Sequence, residues 1–409
     1  MKAVVFHGVG DIRLDTVPEP KIHKPNDAIV RLTASAICGT DLHMIRGTIA
    51  GMKPGTILGH EGVGMVEEVG SAVRNFKKGD RVVIGSTIAC GNCSYCRAGY
   101  YAQCDKANPN GADQGTAFYG GPESSGPFDG MQAEFVRVPF ANINLVPVPE
   151  DVTDEQAILI SDIFPTGYFA ADIAGIKPGD TVAVFGCGPV GQFAIASARL
   201  MNAGRIFAID NVPSRLEMAR EQHAEVIHFD EEDPIEAIHG LTSNIGVDRA
   251  IDAVGVDANR PRKGDSALSS AANARLDKVE RKLIVPKSGE QGDNWHPGDA
   301  PSQALVWAVQ SLAKAGTLSI IGVYAETSVF FPIGLAMEKN LSIQMGNCNH
   351  RKYIPELLRL VKSNVVDPAE ILTHVGPLTG ALDAYKEFDR RQPGWIKVRL
   401  EPEAAERVA

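Results

Sequence analysis

Hydrophobic and polar positions change period twice along this chain. The first residues, MKAVVFHGVGDIRLD, alternate and carry charge early, which predicts an opening β-strand rather than a signal peptide. In the middle, DTVAVFGCGPVGQFAIASARLMNAGRIFAID predicts strand, tight turn, helix and strand. Its TVAVF run is β-rich and almost continuously apolar, as in a strand buried on both faces of a parallel sheet. RAIDAVG and TLSIIGVY extend the series as later strands, and GWIKVRL predicts a strand near the end. Residues 257–301 break the pattern. They are polar, rich in Gly and Pro and mixed in charge, which predicts a long loop with a short helix through ANARLDKVE. There are no internal repeats, and no apolar run approaches the length of a membrane span.

At 409 residues the chain exceeds one typical core, so two or more domains are expected. A net charge of −10 and a pI near 5.5 argue against a nucleic-acid surface. The expectation is a cytoplasmic protein without a membrane partner, in a compartment that keeps thiols reduced.

That expectation bears on CGNCSYCRAGYYAQC, which holds Cys90, Cys93, Cys96 and Cys104, four of the chain's seven cysteines. A turn-rich loop can aim every third side chain at one ion, and the fourth thiolate closes a tetrahedron suited to zinc. An iron–sulfur cluster is the weaker alternative on spacing, and disulfides fit the compartment poorly. Four thiolates leave no open position, so such a site is structural. A working metal needs other ligands. ICGTDLH supplies Cys38, Thr40, Asp41 and His43, and GHEGVGMVEEVG supplies His60 and Glu61. Alone, each of these residues is more often structural.

Gly186, Gly188 and Gly191 form G-x-G-x-x-G between a predicted strand and helix, with Pro189 and Val190 inside the turn. The first glycine allows the turn, the second lets a pyrophosphate approach the backbone, and the third lets helix and strand pack closely. Asp210 ends the second strand, where a carboxylate accepts hydrogen bonds from adenosine ribose hydroxyls and repels a 2′-phosphate. NAD is therefore expected over NADP. Arg215 follows and either neighbours the ribose or is a solvated charge.

Together these motifs resemble the zinc-dependent medium-chain alcohol dehydrogenases, from the first strand to GWIKVRL. The stretch Gly59 to Gly70 is similar to their zinc signature and the cysteine loop to their structural-zinc lobe. The resemblance implies an α/β protein: a GroES-like β-rich catalytic domain at 1–163 and 346–409, and a Rossmann doubly wound parallel-sheet domain at 164–345 with an insertion at 257–301. It implies two zinc ions per subunit and NAD, with zinc beside the nicotinamide between the domains. Where many relatives have a third, cysteine ligand, this chain reads ILISDIFPTGY, giving Asp162. The glutathione-independent formaldehyde dehydrogenases are similar there, so the resemblance assigns Cys38, His60 and Asp162 to the catalytic zinc. Glu61 then adjoins the metal or orients it from outside, and Asp41 partners a zinc histidine.

The same resemblance makes Thr40 the first proton acceptor and His43 the outer member of a relay to solvent. It puts Thr166 against the nicotinamide and Lys397 at the pyrophosphate, where Lys397 compensates for Gly39 standing in place of an arginine of some relatives. The implied reaction moves hydride between NAD and a small alcohol or hydrated aldehyde, formaldehyde first among them. The alternatives are an aldehyde dismutase that retains NAD and a dehydrogenase of a larger alcohol or polyol. A homo-oligomer is implied, a tetramer before a dimer. The insertion is expected to cover the adenosine half of the cofactor, with a solvated or oligomer-facing loop as the competing reading.

Overall fold

The computed structural model describes residues 1–403 apart from 127, 263–273, 285–288 and 329. The chain divides into two units: Met1–Pro165, Ser288–Trp295 and Asn347–Ala409 form one, and Thr166–Lys287 with His296–Gly346 form the other.

In the first unit, β1 (Lys2–Gly8) pairs antiparallel with β2 (Asp11–Thr16). Ala3 through Phe6 are all buried, because both faces of β1 are covered. Val4 and Phe6 pack with Ile37, Leu42 and Tyr385, while Ala3 and Val5 pack with Ile57 and Ala133. The alternation in the sequence therefore separates two apolar faces, not an inside from an outside. The main sheet contains β3 (Ala28–Ile37), β4 (Gly62–Val69), β5 (Arg81–Ile84), β6 (Phe135–Val138) and β7 (Leu145–Pro147).

The second unit is a sheet of β8 (Thr181–Phe185), β9 (Arg205–Asp210), β10 (Glu225–His228), β11 (Val247–Asp252), β12 (Leu312–Ile320) and β13 (Ser342–Met345). The order is β10-β9-β8-β11-β12-β13, parallel throughout. The chain winds outward from β8, then crosses to its other side at β11, so the switch point lies at the carboxyl ends of β8 and β11.

The chain then returns to the first unit through β14 (His374–Pro377) and β15 (Val398–Glu401). This completes the order β14-β15-β3-β4-β5-β7, with β6 beside β3. Register shifts between β3 and β4, at Ile29/Val30 and Leu32/Ala34, increase the local twist.

The insertion carries the short helix expected within it, but it is divided between the two units. Ala274–Ile284 is a helix, and Arg260 pairs with Asp277 on it within the second unit. Ser288–Trp295 instead belongs to the first unit. Trp295 is 3% exposed among Val4, Phe6 and Ile37, and its backbone N–H donates to Asp389 Oδ2 at 2.7 Å. Asp389 also takes the Arg46 guanidinium at 2.6 Å. The expected cofactor cover falls partly on residues 263–273 and 285–288, which lie outside the described residues. Among the described residues no single helix is long and apolar enough to cross a membrane.

Candidate active site and metal centres

The four-cysteine loop closes on itself in the first unit. Cys93 caps the one-turn helix Ser94–Arg97 and accepts the Cys96 amide at 3.5 Å, while Cys104 accepts the Cys90 amide at 3.2 Å. Such amides favour thiolates. All four sulfurs lie within 4.8 Å of one another, with Cys93 and Cys104 at 3.9 Å. A tetrahedral zinc bound at about 2.3 Å holds its sulfurs about 3.8 Å apart, so the set fits the ion.

A second group gathers Cys38, His60, Glu61 and Asp162 from distant parts of the same unit, again within 4.8 Å. Cys38 caps the short helix Gly39–Ile45, and its amide donates to Asp41 Oδ2 at 3.0 Å. His60 precedes β4. Asp162 sits at the break after helix Asp154–Ser161, with φ −143° and ψ −68°. Ser161 fixes that break: its hydroxyl donates to the Ile84 carbonyl at 2.6 Å and accepts the Gly62 amide at 2.9 Å. One helix end is thereby tied to both β4 and β5.

Asp162 Oδ2 lies 3.3 Å from His60 Nε2 and 3.7 Å from Cys38 Sγ. A tetrahedral zinc sets about 3.4 Å between N and O ligands and about 3.6 Å between S and O, so these donors fit a catalytic zinc with three protein ligands. His60 is oriented from behind, with Nδ1 3.2 Å from Asp41 Oδ1. Asp41 also accepts from Gln132 at 3.2 Å, and Tyr385 donates to Gln132 at 2.8 Å. Burial opposes charge on His60, but Asp41, Cys38 and Asp162 outweigh it and raise its pKa well above the usual imidazole range. Burial would raise Asp162, but His350 and His60 hold it well below the usual carboxylate range.

Lys397 has partners that the sequence did not suggest: it is 0% exposed, and its ammonium donates to Glu61 Oε1 at 2.6 Å and the Ile37 carbonyl at 3.0 Å. A cation with those partners inside the sheet is the counter-charge of the buried Glu61. Burial pushes Glu61 up to about 7, although Lys397 pulls the other way. Thr40 Oγ1 is 3.8 Å from Cys38 Sγ, and His43 is buried on the same short helix. His350 was not singled out in the sequence. Its Nε2 lies 2.7 Å from Asp162 Oδ1 and its Nδ1 3.1 Å from Thr87 Oγ1. The only local sign was a histidine opening a helix two residues after Cys348.

In the second unit the glycine turn leaves β8 at its carboxyl end. Gly186 has φ +87°, and a Cβ on Gly191 would stand 1.8 Å from the Gly186 carbonyl oxygen. Gly188 caps helix Pro189–Leu200, which opens on Pro189 and Val190. A Cβ on Gly188 would meet nothing nearer than Arg215 Nη1 at 3.8 Å, so the backbone there is open to approach. The helix N-terminus suits a pyrophosphate. Asp210 adds a task beyond the one expected: Oδ2 accepts the Cys187 amide at 2.7 Å, and Oδ1 accepts those of Asn211 and Val212 at 2.8 and 2.9 Å. It fastens the turn to the end of β9, with Arg215 Nη1 3.8 Å away. Thr166 opens this unit on helix Ile163–Ala174, where the next residue, Gly167, packs against Phe193.

Two family profiles match the chain: Alcohol dehydrogenase GroES-like domain over residues 24–150, and Zinc-binding dehydrogenase over 189–265. A zinc-type alcohol dehydrogenase-like protein of Bacillus subtilis is 40% identical, covering 98% of this chain and 100% of the relative. A glutathione-independent formaldehyde dehydrogenase of Pseudomonas aeruginosa is 33% identical over 96% of each chain. The solved alcohol dehydrogenase from Thermus sp. ATN1 is 34% identical, with a TM-score of 0.79 over 98% of this chain and 100% of that one. With the two zinc-fitting clusters and the nucleotide turn in place, the chain belongs to the zinc-type medium-chain alcohol dehydrogenases, oxidoreductases whose cofactors are zinc and a nicotinamide dinucleotide.

Proposed function

We propose that the chain oxidises a small alcohol or hydrated aldehyde with NAD, with formaldehyde as the leading substrate. The observation that carries this reading is the Cys38–His60–Asp162 trio, with one carboxylate oxygen turned toward the sulfur and the imidazole. The 33% identity with a formaldehyde dehydrogenase supports the choice of substrate.

Zinc, when bound, supplies a Lewis acid that lowers the pKa of a substrate hydroxyl. Cys38, His60 and Asp162 would hold it, and their burial would keep bulk water from competing with the substrate oxygen. Thr40, beside Cys38, takes the substrate proton at Oγ1 as it gives up its own toward His43. Glu61 keeps Oε1 on Lys397, its Oε2 has no hydrogen-bond partner, and one of its oxygens lies within 4.8 Å of the three donor atoms. Thr166 would face the nicotinamide and the 186–191 turn would hold the pyrophosphate. An alcohol loses a proton and a hydride to give an aldehyde and NADH. A hydrated aldehyde loses the same pair to give an acid.

Asp210 favours NAD because a 2′-phosphate would meet its carboxylate. The test is NADH and NADPH production across formaldehyde, short primary alcohols, polyols and threonine, with the zinc-loaded protein. Turnover of formaldehyde with NAD above the other substrates supports the reading. Preference for a polyol or for threonine overturns the substrate, and aldehyde consumption with no net NADH points to dismutation. Asp210→Ala is expected to weaken NAD about tenfold and to narrow the gap to NADP, corresponding to about 1–2 kcal/mol for lost hydrogen bonds to a charged group.

A further inference from the structure

The two oxygens of Asp162 face different partners. Oδ2 is turned to Cys38 Sγ and His60 Nε2, at 3.7 and 3.3 Å. Oδ1 is 2.7 Å from His350 Nε2. An ionised carboxylate only accepts hydrogen bonds, so His350 Nε2 is the donor whichever way the Thr87 hydroxyl turns at Nδ1. That bond draws electron density from Oδ1 and holds the carboxylate with Oδ2 toward Cys38 and His60, which disfavours chelation through both oxygens. Chelation would fill the position that a substrate oxygen needs.

The imidazole is itself held on several sides. Thr87 Oγ1 lies 3.1 Å from Nδ1 and 3.4 Å from the Cys348 carbonyl oxygen. The preceding residue, Asn349, accepts the Ala102 amide at 2.9 Å, inside the four-cysteine loop. Asn347 donates to Thr116 at 2.7 Å. His350 opens helix His350–Lys362, whose buried face, Tyr353, Ile354, Leu357 and Leu358, fixes its direction. The histidine is 3% exposed, which isolates its bond to Asp162 from water.

We propose that His350 is a positioning residue that keeps Asp162 a one-oxygen zinc ligand and so preserves the open fourth position. This rests on the assignment of Asp162 as a ligand. Partners of metal ligands fix their orientation, and removing one typically lowers metal affinity about 10–100-fold.

The experiment compares wild type, His350→Ala, His350→Gln, Thr87→Val and Asp162→Ala, each reloaded with zinc and separately with cobalt(II). Catalytic-site affinity is read by chelator competition, and coordination by the visible cobalt spectrum. His350→Ala is expected to lower affinity about 10–100-fold and to weaken the cobalt bands, as four-coordinate cobalt gives way to higher coordination. His350→Gln, which restores an N–H donor, recovers most of both. Thr87→Val gives a smaller shift in the same direction, and keeps the proposal testable if His350→Ala does not fold. Affinity and spectrum unchanged in His350→Ala overturn the proposal, as does a glutamine variant no better than alanine. Asp162→Ala separates the two levels: an unchanged cobalt spectrum in that variant refutes the ligand assignment itself.

Discussion

Cys90, Cys93, Cys96 and Cys104 reach their shared position through one loop, capped and fastened by its own amides. Cys38, His60 and Asp162 come from a helix cap, a pre-strand turn and a helix break, and meet because β3, β4 and β5 are paired. The first centre carries its own scaffold. The second borrows one, with Asp41 beside His60, Ser161 tied to β4, Lys397 paired with Glu61 and His350 beside Asp162. Closed, local coordination suits a metal that only holds the chain together. Donors drawn from separate elements leave one side of the metal open, which chemistry requires.

The sharpest break of this contrast is Asp162→Ala. It removes a ligand from the open site and touches nothing in the closed one. Zinc per chain should fall from about two to about one by elemental analysis, and turnover should fall about a thousandfold, the equivalent of several kcal/mol of Lewis-acid stabilisation. Retained activity with both metals present would dissolve the distinction.

The same contrast explains what could be read from the chain. The cysteine loop and the glycine turn are contiguous, so spacing reports their geometry. Asp162 was found only because the residues around it resemble a known family. The Lys397–Glu61 pair and His350 were overlooked for one reason. Each acts on a residue 336 or 188 positions away, through a pairing that becomes visible only when β15 lies beside β3 or when helix His350–Lys362 is in place. Trp295 was legible in principle. It is a large apolar residue within a polar insertion, and burying it is what ties Ser288–Trp295 into the first unit.

Lys397→Met tests how far the open site depends on its borrowed supports. Glu61 would be left buried without its counter-ion, a change that typically costs about 3–5 kcal/mol. The expected loss in denaturant midpoint should be largely restored by Glu61→Gln in the same chain. A Lys397→Met protein as stable as wild type would mean the pair is not what holds these strands at the metal.

Cys104→Ser attacks the closed site. The loop is expected to lose its zinc and open locally, lowering the unfolding temperature by several degrees, consistent with about 2–3 kcal/mol in a unit of this size. Activity per remaining catalytic zinc should change less than about tenfold. A loss of turnover as deep as that of Asp162→Ala, with the catalytic metal still bound, would show that the two centres are not separable in function.

The mildest expected effect concerns the hydrogen bond that links the loop to His350's neighbour, between the Ala102 amide and Asn349 Oδ1. Asn349→Ala leaves every ligand and His350 itself unchanged. Losing one buried hydrogen bond should cost about 1 kcal/mol in global stability. If the closed centre steadies the open one, catalytic-site zinc should bind several-fold more weakly in chelator competition, while the four cysteines keep their ion. If only stability falls and both metals bind as in wild type, the loop and the catalytic cluster share a unit without sharing a mechanical connection. The loop would then be a stabiliser of chain architecture alone.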